Sequence, residues 1–500
     1  MPILNWLGRD EALKTAAKTP YRLLEEVPEL GYGDRSTDNM IIQGDNLEAL
    51  KALLPFYAGQ VKCIYIDPPY NTGNAFEHYD DNVEHSIWLS LMYPRLELLK
   101  EFLSEDGAIF ISIDETEAAY LKVVLDEIFG RTNYIGQFIW QKKRGGGNDS
   151  RYIAIEHEYV LCVAKNVEVL PNWHTQYDEA YLKRYSEQDD KGRYFWDTLA
   201  RPGLKNPIIY DIVAPDGTII RNGWVRSQKR FEEDLKNGEI RVTKNKGNWS
   251  VQFKQYMGDG KKPRSLLTDV AINSDAKQEL VNLFGDAKTF PYPKPENLVK
   301  YIFNLYTKSG DLVLDSFLGS GTTAAVAQKM GRRYIGIEMG NHAITHCVPR
   351  LKAVVDGEQG GISKAVNWQG GGGFRFYKLG NEVFDADGCI NDGISFEDLS
   401  AHIWFTETKT PFNKPAEKST FLGIKDNVAY ALLYNGILKD KRVDGGNVLT
   451  NKTLKVILDD MQNAPYDKLV IYGESSRISQ PRLKSLNIEF KQTPYDIKAR

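Results

Sequence analysis

Cysteine is scarce: four in 500 residues (Cys63, Cys162, Cys347 and Cys389), far apart and with no C-x-x-C pair. That spacing argues against a zinc site or a disulfide framework and for a reducing, cytoplasmic setting. Long apolar runs are missing too; none approaches the ~20 residues that span a bilayer. The first residues, MPILNWLGRDEALKTAAKT, lack a basic start, an apolar block and a small-residue cleavage site, so no secretory signal is expected. No tandem repeat recurs, and G-x-x-x-x-G-K-[ST] is absent, which argues against a nucleoside-triphosphatase phosphate loop. Of seven histidines, His78 and His85 show no metal spacing and His157 sits on an expected strand, so no metal site is expected.

What is present reads as a globular chain of two or three domains, 42% hydrophobic and 26% charged. The net charge of −4 is unevenly spread. From Gln141 to Ser265 there are 23 Lys/Arg against 17 Asp/Glu, a local +6 that leaves −10 for the remainder. A basic middle in an acidic chain is the electrostatic pattern of a local nucleic-acid surface.

Strand and helix patterns alternate through the first third. NMIIQ (39–43), VKCIYI (61–66), GAIFISID (107–114), YIGQFIW (134–140) and HEYVLCVAK (157–165) read as strands, with helical stretches between the first four. From about 166 to 289 the alternation stops, and Trp, Tyr, Lys, Arg, Asn and Gly dominate. It resumes with PENLVKYIFNLYT, DLVLDSF, TTAAVAQKM and RRYIGIEM, then passes a GGGG stretch (370–373), read as a linker, into a mixed region. The expected architecture is therefore one mostly parallel α/β sheet written in two halves around an insertion.

Two stretches carry chemistry. In DLVLDSFLGSGTTAAVAQKMGRRYIGIEMG, a strand ends at Asp315, Gly319 and Gly321 turn the backbone into a helix, and the next strand ends at Glu338. An acid, a G-x-G turn and a second acid after the following strand suit a nucleoside: main-chain N–H groups face the ligand, and the last carboxylate accepts ribose hydroxyls. The third glycine of a dinucleotide fingerprint is missing, and Thr322 and Thr323 suit a carboxylate better than a pyrophosphate. S-adenosyl-L-methionine joins a nucleoside to an amino-acid carboxylate. In VKCIYIDPPYNTG, a strand stops at Asp67, Pro68 and Pro69 stiffen the turn and remove donors, and Tyr70 supplies a flat ring. Acceptors beside a ring suit an amino-bearing heterocycle held out of its stack.

DPPYNTG followed downstream by DSFLGSGTT resembles the β-class amino-group DNA methyltransferases, in which the catalytic motif precedes the cofactor motif and a target-recognition domain lies between. IIQGDNLEALKAL and FPYPKPENLVKYI are similar to further segments of that family. GWVRSQKRFEEDLKNGEI and the C-terminal KLVIYGESSRISQPRLKSLNIEFKQTPYDIKAR resemble modification subunits of type III restriction–modification systems, which are usually longer chains. The resemblance implies a Rossmann-like S-adenosylmethionine-dependent methyltransferase fold: a permuted, mostly parallel seven-stranded sheet, an inserted target-recognition domain and a small C-terminal α/β region. The expected divisions are 1–165 (catalytic half), 166–289 (recognition), 290–369 (cofactor half) and 370–500 (linker and C-terminal region).

Residue by residue, the resemblance implies that Asp67, Pro68, Pro69 and Tyr70 hold the target base, Asp67 and the Pro68 carbonyl accepting from its amine. Asp315, Phe317, Gly319, Gly321 and Thr322 would surround the methionine end of the cofactor, with Glu338 at its ribose, Asp45 at its adenine amine, and Lys294 and Pro295 lining the pocket. Transfer to adenine N6 is favoured over cytosine N4 because the motif begins with Asp, and no metal is needed for such a transfer. Lys142, Lys143 and Arg144, in QKKRGGGNDSRY, are candidate DNA contacts. The implied partners are double-stranded DNA, a second copy of the chain and a separate restriction helicase–nuclease subunit, in a bacterial or phage-borne, nucleoid-associated setting. A solitary methyltransferase is the alternative.

Overall fold

Seven of the expected strands lie side by side in the computed structural model, and the permuted order follows from how they pair. The structure describes residues 3–71, 85–145, 152–285 apart from 176, 202, 204–205 and 246, 290–385, and 390–493 apart from 392, 416–417, 435–445 and 463. Across the sheet run Met40–Gln43, Arg333–Glu338, Leu312–Asp315, Val61–Ile66, Leu103–Ile113, His157–Ala164 and Tyr134–Gln141. All are parallel except His157–Ala164, which is antiparallel to both neighbours. Strands such as CIYI (63–66) are apolar without alternation because helices cover both faces of a parallel sheet. Leu50, Leu53, Ile64, Leu96, Leu99 and Ile111 meet in that core.

The sheet is wider than seven strands. Gly373–Glu382 adds in parallel to Met40–Gln43, Arg22–Glu26 and Tyr32–Gly33 pair antiparallel with it, and Leu266–Leu267 adds to the far edge, making eleven. The glycine run read as a linker is instead a tight packed turn. Gly370, Gly371 and Gly372 have φ of 93°, 108° and 72°, and a Cβ on Gly373 would lie 2.3 Å from the Asp34 backbone.

The chain divides into two compact units, residues Met1–Asn172 with Arg264–Arg500, and Trp173–Pro263. The insertion is thus shorter at both ends than 166–289, because the helix Asn273–Phe284 belongs to the sheet-bearing unit. Within the insertion, an antiparallel sheet runs Ile240–Asn245, Asn248–Tyr256, Gly192–Thr198, Glu187–Asp189, beside a ribbon of Ile208–Val213 and Ile219–Trp224. Its small core holds Leu199, Trp224, Phe231, Val251 and Phe253. Residues beyond 395 form a four-stranded sheet, Phe421–Lys425, Val428–Leu432, Lys468–Gly473 and Ile488–Gln492, parallel after its first pair. Among the described residues, no helix is long and apolar enough to cross a membrane.

Leu312–Asp315 and Val61–Ile66 are neighbours, but the chain leaves them towards opposite edges of the sheet. Their carboxyl ends therefore flank a topological switch point, where open α/β sheets hold ligands. Asp315 and Asp67 stand at those two ends.

Candidate active site

A cavity of about 370 Å³ opens at the switch point. It gathers most of the expected residues: Asp67, Pro68, Pro69, Tyr70, Lys142, Lys294, Asp315, Phe317, Gly319 and Thr322 all line it. Gly321, Glu338 and Asp45 do not, and neither do Lys143 and Arg144.

The turn after Val61–Ile66 is rigid for reasons beyond its prolines. The Trp88 indole N–H, 1% exposed, donates to the Pro69 carbonyl at 2.7 Å, so that carbonyl faces inward rather than out. The Pro68 carbonyl accepts no hydrogen bond among the described residues. Asn71, at φ 59°, donates through Nδ2 to Glu117 Oε1 at 2.7 Å, which pins the left-handed exit of the turn. Thr72, Gly73 and His78 lie outside the described residues.

The Asp67 carboxylate is the centre of an ion-paired group. Lys294 Nζ donates to both of its oxygens, at 2.8 and 2.7 Å, and lies 3.6 Å from Glu158 Oε2. The Tyr70 hydroxyl lies 2.7 Å from Asp67 Oδ1 and 3.0 Å from Glu158 Oε2; its single proton serves one carboxylate at a time. Lys142 Nζ reaches Glu158 Oε1 at 3.2 Å. Burial raises the Asp67 carboxyl above its usual range against the pull of Lys294, and the Glu158 charge raises it further. For Glu158 the balance reverses: Lys294 and Lys142 outweigh burial and hold it low. Lys294, buried, is held protonated because Asp67 and Glu158 outweigh its own desolvation. Its ammonium also stands 4.9 Å from the centre of the Tyr70 ring.

The glycine turn has different chemistry. Gly319 and Gly321 take φ of 57° and 83°; a Cβ on Gly319 would lie 3.3 Å from the Phe290 ring, and one on Gly321 3.3 Å from Cys347 Cα. Asp315 accepts from the Phe317 N–H at 2.9 Å and pairs with no cation among the described residues, so burial pushes its carboxyl up to about 7. Glu338 closes the next strand as expected, yet its carboxylate is already engaged. It accepts from the Gly319 N–H at 2.7 Å and the Gly340 N–H at 3.1 Å, and lies 2.9 Å from His342 Nε2. Burial would raise it, but the His342 bond outweighs that and holds it low.

Asp45, expected at the cofactor's adenine, lies outside the cavity lining and has a structural task. It caps the helix Asn46–Tyr57, accepting from the Leu47 and Glu48 N–H groups, and pairs with Arg95 at 2.8 Å. Of the basic loop, Lys142 turns into the cavity, Arg144 donates to the Thr268 carbonyl at 2.8 Å, Lys143 is exposed, and residues 146–151 lie outside the described set. In WVRSQKRF, Trp224 and Phe231 are core, Arg226 pairs with Asp234, and Ser227 caps the helix Gln228–Lys236. That stretch is mostly local architecture.

Two groups escaped the reading of the sequence. Glu158, 5% exposed, is an acid inside an apolar strand, which is the signal that could have flagged it. Behind the cavity, Glu296 pairs with Lys329 at 2.7 Å and Arg350 at 3.0 Å, and Arg350 donates to Thr322 Oγ1 at 2.8 Å. Thr322 in turn donates to the Lys294 carbonyl at 3.1 Å, tying the segment that carries Lys294 to the glycine turn.

A family model described as DNA methylase matches residues 61–348, from the first residue of the Asp67 strand to beyond Glu338. The chain belongs to the DNA methylase family. Both turns of the methylase cavity and the whole insertion lie inside that match. Among curated relatives, "Probable type III restriction-modification enzyme HindVI Mod subunit" of Haemophilus influenzae is 36% identical over 68% of this chain and 54% of its own length. The "Type III restriction-modification enzyme EcoPI Mod subunit" of Escherichia phage P1 is 30% identical over 67% of this chain and 62% of its own. This methylase chain thus spans between half and two thirds of those relatives. A solved structure of PvuII DNA methyltransferase (cytosine-N4-specific) aligns with 63% of this chain and 86% of its own at 16% identity, TM-score 0.35.

Proposed function

We propose that this methylase transfers a methyl group from S-adenosyl-L-methionine to the exocyclic N6 of an adenine flipped out of duplex DNA. The observation that carries the reading is the meeting, in one cavity, of an acceptor turn (Asp67 and the Pro68 carbonyl, which accepts no hydrogen bond among the described residues) with a glycine turn that follows buried Asp315. Family membership supports it, as do relatives named as modification subunits and as type II methyltransferases.

The residues present fit the methionine end of the cofactor. Asp315 is a buried carboxylate with no cation among the described residues, and a ligand ammonium would supply one. Gly319, Phe317 and Thr322 would frame that end, and Glu338 could take a ribose hydroxyl once His342 gives way. When bound, the cofactor supplies an electrophilic methyl carbon, which the N6 lone pair attacks while the carbon–sulfur pair leaves with sulfur.

The chain's own residues prepare the nucleophile. The adenine amino lone pair is delocalised into the ring; accepting both N–H bonds at Asp67 Oδ and the Pro68 carbonyl favours a tetrahedral nitrogen and localises that pair. After transfer the nitrogen is positive, and one of its protons passes to Asp67. Positioning and fixed acceptors supply most of the acceleration. Extruding the base costs a few kcal/mol, which stacking on Tyr70, on the order of 1–3 kcal/mol, partly offsets.

By the same reasoning the chain acts as the modification subunit of a type III system, in the cytoplasm, as a homodimer with a restriction subunit that supplies cleavage. The relatives' names and the C-terminal resemblance support this. Incubation with labelled S-adenosylmethionine and unmethylated duplex DNA, followed by mass spectrometry of the nucleosides, tests the core claim. N6-methyladenine is expected. N4-methylcytosine would overturn the base, and unlabelled DNA would overturn the activity.

A further inference from the structure

Asp67 is poorly placed to receive an amine while Lys294 sits on it. A carboxylate offers about four acceptor positions. Here Lys294 takes two and Tyr70 contends for a third. The incoming nitrogen also becomes positive during transfer, and an ammonium alongside opposes that charge. Yet Lys294, 9% exposed, cannot simply be left without a counter-charge, because an unpaired buried ion is strongly destabilising. A second carboxylate is in place. Glu158 Oε2 lies 3.6 Å from the same ammonium, and less than an ångström of movement would make that a hydrogen bond. Glu158 stays ionised because Lys142 also faces it, at 3.2 Å.

We propose that Glu158 is a positioning residue that receives Lys294 from Asp67 when the target amine arrives, so that two carboxylates share one ammonium in turn. The proposal rests on the methyl-transfer reading above and adds to it how Asp67 is freed. In the waiting state Lys294 opposes the upward push of burial on Asp67. In the loaded state the ammonium moves to Glu158, and the Tyr70 proton, displaced from Glu158, turns wholly to Asp67. One face of Tyr70 is cleared of the cation by the same movement. Among the described residues, the titratable groups that interact with Asp67 include Lys294, Glu158, Tyr70, Tyr65 and Asp315, of which Lys294 is the cation.

The first test needs no activity: a crystal structure of the Asp67→Asn variant. Removing the negative charge imitates the arrival of a neutral amine, and Lys294 Nζ is expected within hydrogen-bond distance of Glu158. An ammonium still held at position 67, with Glu158 as distant as now, overturns the handover. The second test is kinetic. Glu158→Gln leaves Lys294 with Asp67 as its one carboxylate; kcat is expected to fall by at least about tenfold while S-adenosylhomocysteine binding by calorimetry stays within about twofold. Adding Lys294→Met removes the cation that needed a destination, so the double variant is expected within about threefold of Lys294→Met alone. Losses that simply multiply overturn the proposal, as does a Glu158→Gln rate equal to wild type. Lys294→Met itself is expected to move the acid limb of the pH–kcat/KM profile upward, since in the free enzyme Asp67 loses the charge that opposes the effect of burial. A wild-type protein that methylates no DNA would instead overturn the proposed function, and the Asp67→Asn structure would still decide the handover.

Discussion

Two aspartates close two adjacent parallel strands and face one cavity, yet they are chemically different groups. Asp67 carries Lys294 at 2.7 Å, whereas Asp315 has main-chain and hydroxyl partners but no cation among the described residues, and its carboxyl is pushed up to about 7. Strand-end position fixes where a carboxylate points; the charge delivered by another part of the chain decides what it is. A carboxylate paired with a cation that can step aside suits acceptance from a neutral amine. An uncompensated one suits capture of a ligand that brings its own positive charge.

The comparison can be broken most severely at Asp67. Asp67→Ala is expected to reduce methyl transfer by at least about 10³-fold, the cost of losing a positioned electrostatic group, while S-adenosylhomocysteine binding is retained. Equal loss of both would show that the turns are not separable. At Asp315 the sign of the pH dependence is the test. Its folded pKa of about 7 lies above the ordinary aspartate value, so the stability it contributes is complete below about pH 4 and is lost as pH rises through 7. Asp315→Asn is therefore expected to gain on wild type between pH 5 and 8, by on the order of 2–4 kcal/mol in urea unfolding. No widening of the gap would remove the claim that Asp315 is uncompensated.

Gly319→Val places a branched side chain at φ 57° against Phe290, straining the turn by on the order of 1–2 kcal/mol. Cofactor affinity is expected to fall about tenfold with the base-binding turn unaffected, which calorimetry with S-adenosylhomocysteine would measure. The smallest effect sharpens the comparison most. If a ligand ammonium completes Asp315, binding at pH 7 releases up to about half a proton, and none near pH 9. Calorimetry in buffers of different ionisation enthalpy reads that number directly, and zero release at pH 7 would assign the ammonium elsewhere.

Both turns were legible because each is local. D-P-P-Y after an apolar strand and G-x-G before a helix state their geometry within a few residues, as does the break in alternation that marks the insertion. Asp45 was read only as a ligand contact although G-D-N-L-E carries a helix-cap pattern of its own, and the structure uses it that way. The glycines at 370–373 read as a linker because glycine marks both loose chain and tight turns. Only the strand Gly373–Glu382 beside Met40–Gln43 tells them apart. In the insertion, aromatic and basic residues alternated as a nucleic-acid surface would, but Trp224 and Phe231 were needed to fill a small core.

The amino-acid sequence alone determined the order of the strands along the chain, the two turns and the residue types they present, since these depend on neighbours a few positions apart. Tertiary structure decided the protonation and the partners. Lys294 meets Asp67 across 227 residues, Glu158 arrives on an antiparallel strand, and Asp315 meets no cation among the described residues. Charge interactions act through space and depend on burial, and neither the distances nor the burial are set until the sheet has closed.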